Sequence, residues 1–122
     1  MTTVFERMLD RVVLHLGDGE RRVVDPGDVY FLEAQDEDTL IRLRSAQPLV
    51  DMRPIRELVP LFVPHGVLQI HREYVVNLRR VYLIRRRDEG RDWEVKLEPP
   101  VNRVLPVSRG ALAKLWRAFG GV

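Results

Sequence analysis

At 122 residues the chain has room for one modest core, and its 45% hydrophobic and 31% charged residues are ordinary for a soluble globular domain. No apolar run is long enough to span a membrane, Met1–Asp10 has no apolar signal core, and a cytoplasmic location is expected. Cysteine is absent, which removes disulfides, thiolate nucleophiles and cysteine-based metal centres. The net charge of +2 hides an asymmetry. Residues 1–67 carry 8 Arg/Lys against 12 Asp/Glu, a net of −4, and residues 68–122 carry 12 against 6, a net of +6. A basic half that also holds apolar, structured segments reads as a binder of an anionic surface.

In chain order, Thr3–Met8 suits a short amphipathic helix or a lead-in to the first strand. Arg11–Leu16 and Glu20–Val24 flank Gly17-Asp18-Gly19 as a hairpin, because glycine accepts the positive φ that such turns need. Asp25-Pro26-Gly27-Asp28 is a second turn, with proline presetting φ. Val29–Ala34 is a nearly continuous apolar strand. Gln35–Asp38 is a polar, acidic loop, and Thr39–Arg44 alternates as a half-solvated strand. A turn at Ala46–Pro48 and a short strand at Leu49–Met52 follow. Pro54 fits the start of a helix to about Leu61, which Pro60 should end early. His65-Gly66 is the next turn.

Leu68–Arg80, read as one run with period-two alternation, mixes core residues with His71, Asn77 and three arginines, so a structural role for His71 and Asn77 follows from the need to partner buried polar atoms. Val81–Arg85 and Asp92–Glu98 are strands joined by the charged loop Arg86–Arg91. Pro99-Pro100 breaks the second, Asn102–Val107 is a last strand, and Ser108 caps the helix Arg109–Phe119. Leu112, Leu115, Trp116 and Phe119 form that helix's apolar stripe, and Gly120-Gly121 stops it. Trp93, Trp116 and Tyr82 read as core aromatics, which argues against base stacking and single-strand or RNA binding. The sum is mainly β: short, mostly antiparallel strands with two or three small helices.

Catalytic signatures are missing. The chain has no zinc-protease helix motif, phosphate loop, nucleophile elbow or dinucleotide-binding glycine cluster. Its three histidines lack ligand spacing, and Asp36-Glu37-Asp38 lacks the alternating ligands of a calcium loop. No enzyme activity, metal or cofactor is expected. Arg72, Arg79, Arg80, Arg85, Arg86, Arg87, Arg109, Lys114 and Arg117 instead suggest a surface that contacts a nucleic-acid backbone. Ser108 and Arg109 at a helix N-terminus add amides and dipole that favour a phosphate, and Arg109 has the reach for a guanine edge.

Three motifs then acquire a common meaning. Asp28–Ala34 resembles the strand ending in Glu-Ala of the LytTR DNA-binding domain family. Ile70–Leu78 resembles that family's signature segment, and Leu105–Arg109 resembles the Leu-Pro-Val-Ser-Arg before its final helix. They fall in family order across about Val24–Phe119. The resemblance implies an elongated β fold whose loops enter successive major grooves of double-stranded DNA. Carried over residue by residue, it implies base reading by Arg109, by Arg72, and after the Glu-Ala strand by Asp38 or Thr39. Phosphate contacts are implied near Gln69 and at Arg80, Arg86, Arg87, Arg91 and Arg103; the helix-terminus argument adds Ser108, and the summed basic surface adds Lys114. Two departures stand out: Glu73 occupies the family's serine position, and the Gln35–Asp38 loop is acidic.

The expectation is a DNA-binding domain over residues 24–122, preceded by an extension over 1–23 whose helix and hairpin could pair subunits. With about two dozen residues before the match, control by phosphorylation of a receiver domain in the same polypeptide is not expected. It would act as a bacterial transcriptional regulator on repeated half-sites, as a homodimer on DNA. The alternative is a protein-interaction module on the same fold with weak or lost DNA binding.

Overall fold

A computed structural model describes residues 10–44, 47–87 and 90–121. The expected Thr3–Met8 helix and part of the Ala46–Pro48 turn lie outside the described residues. Strands β1 (Val12–His15) and β2 (Arg21–Val24) form a two-stranded ribbon. Strands β3 (Val29–Gln35), β4 (Asp38–Leu43), β5 (Leu49–Asp51), β6 (Val67–His71) and β7 (Tyr74–Asn77) form an antiparallel sheet in the order β5-β4-β3-β7-β6. Strands β8 (Val81–Arg86), β9 (Trp93–Leu97) and β10 (Val104–Val107) form a third sheet with β9 in the middle. The helices among the described residues are α1 (Ile55–Phe62) and α2 (Arg109–Ala118). The fold is mainly β with short antiparallel strands and small helices, as the sequence suggests.

The five-stranded sheet is a partition between two cores. On one side Val12, Leu14 and Val24 of the ribbon and Leu58 and Phe62 of α1 pack on Val29, Leu32, Ile41 and Val75. On the other, Phe31, Ile70 and Val76 pack on Val95, Leu97 and Leu105 of the small sheet and on Ala111 and Leu115 of α2. Period-two alternation explains how one strand serves both cores, with Val75 facing one and Val76 the other. A register shift between Val29 and Phe31 breaks that alternation, so Tyr30 and Phe31 both join the second core.

Two readings need correction. Pro60 does not end α1 early; it lies inside the helix, which runs to Phe62. Its missing N–H and ring clash cost about 3 kcal/mol, which is offset by complete burial of Leu58 and Phe62 at roughly 1.5–3 kcal/mol each. Leu68–Arg80 is not one continuous run but a hairpin, β6–β7, folded back at Arg72-Glu73 and followed by a 3-10 turn at Leu78–Arg80.

A buried polar clamp joins the ribbon to the central sheet. Asp51 is fully buried, and its carboxylate accepts from His15 N–H at 2.8 Å, Arg53 N–H at 2.9 Å, and Arg53 Nε and Nη2 at 2.9 and 2.8 Å. Burial alone pushes this carboxyl up, but those hydrogen bonds together with the Arg53 charge outweigh it and hold it below its ordinary value. Met52 N–H donates to His15 C=O at 2.9 Å, and Arg53 Nη2 to Val13 C=O at 3.0 Å. The outer edge of β1 is thereby closed.

Candidate nucleic-acid interface

Antiparallel pairing brings three chain reversals to one end of the molecule. Because Glu33 pairs with Tyr74, the β3–β4 turn at Asp36-Glu37 and the β6–β7 turn at Arg72-Glu73 project from the same end of the central sheet. Ala34 N–H donates to Glu73 C=O at 2.8 Å and ties the two turns together. The third reversal is the junction of β10 and α2, where Ser108 N–H donates to Ile70 C=O at 2.7 Å. Arg72 and Arg109, far apart in sequence, therefore stand on neighbouring backbone segments, and both are exposed.

Each reversal has a local cause. Asp36 turns the β3–β4 hairpin with φ of +56°, a left-handed conformation that aspartate tolerates better than most residues. At the β6–β7 turn the His71 ring supplies what a turn residue normally would. Its Nδ1 accepts from Glu73 N–H at 3.1 Å, while Gln69 Nε2 reaches Arg72 C=O at 3.4 Å. Ser108 Oγ accepts from Ala111 N–H at 3.3 Å and starts α2. Asn77 is buried: its Nδ2 donates to Val29 C=O at 2.9 Å and its Oδ1 accepts from Arg79 N–H at 3.0 Å. Both side chains are thus bonded to main chain, His71 within its own turn and Asn77 across to Val29.

Not every arginine near this end is free. Arg103 sits 5.1 Å over the Phe31 ring and 3.9 Å from Glu33. Beside it, burial first and then the nearby Glu33 charge push the Tyr74 hydroxyl up, leaving a neutral phenol at physiological pH. In the β8–β9 hairpin Glu94 holds Arg85 at 2.6 Å and Arg87 at 3.3 Å, and Arg86 lies on the other face over Trp93 at 5.5 Å. Because Trp93 pairs with Val107, this hairpin extends from the same end as Ser108, with Arg91 exposed near its tip. Lys114 is exposed on α2, but five residues beyond Arg109 it stands about 140° around the helix axis.

Three expectations fail on burial or prior commitment. Thr39 is fully buried, and its hydroxyl donates to Arg53 C=O at 2.8 Å, so it has no path to a base edge; Asp38, one residue earlier, is exposed. Arg80 donates to Gly27 C=O through Nε at 3.1 Å and Nη2 at 2.7 Å and stacks on Tyr30 at 4.9 Å, which makes it a brace between turns rather than a phosphate ligand. Tyr82 is 63% exposed on the outer strand of the small sheet, not a core aromatic. The exposed acids Asp36, Glu37, Asp38 and Glu73 share this end with the arginines. Sequence reasoning missed Glu94, although Arg87 opposite Asp92 across the hairpin sets a register that pairs it with Arg85. It also missed Ile70, whose carbonyl acts without any side-chain signature.

Among the described residues no group of three or more His, Asp or Glu side chains could hold a metal ion, and no helix is long and apolar enough to cross a membrane. Residues 19–120 match the family model of the LytTr DNA-binding domain. That span is most of the chain, which therefore belongs to the LytTR DNA-binding domain family, a family of DNA-binding rather than catalytic domains. A solved LytTr DNA-binding domain from Bacillus cereus superposes with a TM-score of 0.72 at 20% identity, covering 91% of this chain and 97% of that one. No curated protein sequence matches the chain.

Proposed function

We propose that the chain binds double-stranded DNA sequence-selectively as a cytoplasmic bacterial transcriptional regulator. In this reading the turns carrying Arg72 and Arg109 enter the major groove, and Asp38 borders them. Residues 24–122 form the DNA-binding unit, and residues 1–23 are an extension available for contact between subunits. The observation that carries the reading is the 2.7 Å hydrogen bond from Ser108 N–H to Ile70 C=O, which sets the two exposed arginines on adjoining backbone. Arginine's planar fork suits the O6/N7 edge of guanine. Arg86, Arg91, Gln69 and the start of α2 flank the pair with groups suited to phosphate, and Lys114 and Arg103 extend the basic surface. Two copies on repeated half-sites would double the base contacts without new chemistry.

The test is a selection of bound sequences from a random duplex pool, followed by anisotropy titrations of the selected and a scrambled duplex at several salt concentrations. Arg109→Ala should cost about 1–3 kcal/mol on the selected duplex and relax preference at one position. Micromolar binding that ignores both sequence and Arg109 sinks the proposal. A second reading, a protein-interaction module, draws on the exposed acids Asp36, Glu37, Asp38 and Glu73. It predicts that no sequence is enriched and that Glu73→Ser does not raise affinity for DNA.

A further inference from the structure

The β1–β2 ribbon has two edges that are treated differently. Along β1, His15 N–H, His15 C=O and Val13 C=O are all bonded to the Asp51–Arg53 segment. These bonds also fix the phase of the ribbon. Since Val13 and His15 direct their main chains away from β2, the residues opposite them, Val23 and Arg21, direct theirs away from β1. The Leu16 N–H to Glu20 C=O bond at 2.9 Å, one pair nearer the turn, agrees with that phase. Among the described residues nothing bonds to the outward main-chain groups of Arg21 and Val23. The Val23 side chain is 54% exposed, and no bulge, proline or covering strand among those residues blunts the edge.

We propose that β2 pairs with β2 of a second copy of this chain, antiparallel about a two-fold axis through Val23. In that register Val23 lies opposite Val23 of the second copy and exchanges both main-chain hydrogen bonds with it. Arg21 lies opposite Asp25 of the second copy, and symmetry repeats the pair. Both side chains are exposed, so opposite charges meet at each end of the contact. Arg22 lies opposite Val24 of the second copy. The neighbouring register toward the turn sets Arg22 against Arg22, a like-charge contact that selects against it. A four-residue strand buries less than the ~1,200 Å² of a standard interface, so the pairing is weak in the free protein and is best read by trapping.

The chain has no cysteine, so single thiols can be placed at will. Val23→Cys in the full chain is treated with a short homobifunctional thiol cross-linker, alongside Val13→Cys, which is 43% exposed on the same outer surface. Paired thiols at position 23 would stand about 5.5 Å apart. Thiols at position 13, one strand further out on each side, would stand about 14 Å apart. Val23→Cys should yield cross-linked dimer at least tenfold faster than Val13→Cys. Adding Arg21→Glu, which faces an acid with an acid, should slow the Val23→Cys reaction several-fold. Equal rates at the two positions, no dimer at position 23, or indifference to Arg21→Glu would each overturn the proposal and leave this edge to another partner. None of these outcomes depends on DNA.

Discussion

Asp51 holds the ribbon to the sheet through one fully buried carboxylate with four incoming hydrogen bonds. Asp51→Asn keeps the shape but turns two acceptors into one and leaves the Arg53 charge without its counter-ion. The expected loss is about 2–3 kcal/mol, at the low end for a broken buried pair because Arg53 retains some contact with solvent. The folded-state value of this carboxyl lies below its ordinary 3.8. Its contribution is therefore complete above about pH 4 and fades as pH falls further, when the carboxylate is protonated. Urea titrations of wild type and Asp51→Asn at pH 7 and pH 3 should show a gap that narrows at the lower pH; a constant gap contradicts this account. Single residues also mark where sequence reading stops. Thr39 and Arg80 have the composition of DNA contacts, yet they are claimed by the carbonyls of Arg53 and Gly27, 14 and 53 positions away. No local pattern carries that information.

Among the elements, the β8–β9 hairpin is the one whose charge is most tightly controlled from within. Glu94 neutralises much of Arg85 and Arg87 before any ligand arrives. Glu94→Gln should free both, steepening the dependence of log K on log salt by about 1–2 and raising affinity for scrambled duplex more than for the selected one. Titration at three salt concentrations checks this, and an unchanged slope would place the hairpin away from DNA. Elements announced by glycine or proline were readable in advance: the ribbon turn, the Pro26–Asp28 turn and the stop after α2. The β6–β7 hairpin was not, because its reversal contains neither residue and depends on the His71 ring accepting from Glu73 N–H. Pro60 misled in the opposite sense, since local propensity yields to the burial of Leu58 and Phe62.

At the scale of the whole molecule, the central sheet separates the two proposed contact surfaces. The ribbon and α1 lie on one side; α2 and the small sheet, which bear most of the basic candidates, lie on the other. Partner contact and DNA contact therefore need not compete for surface, and Arg21→Glu should leave the affinity of one copy for a single half-site unchanged within about twofold, being a surface change away from that site. Cooperative binding to two half-sites should weaken, which gel-shift titrations with one-site and two-site duplexes would separate. The mainly β class and the three family motifs were legible because alternation and turn chemistry are local. The convergence of Arg72 with Arg109 was not, because it rests on the packing of β10 and α2 against β6. The bonds that make this convergence, Ser108 N–H to Ile70 C=O and Ala34 N–H to Glu73 C=O, run entirely through main chain. These two bonds use no side chain of residues 72, 73 or 109, whereas the turns themselves still rest on the His71 ring and the Ser108 hydroxyl. On the proposed function, exchanging the residues at positions 72, 73 and 109 would change target choice while these two main-chain bonds are kept, which makes this end of the fold a natural place for reprogramming.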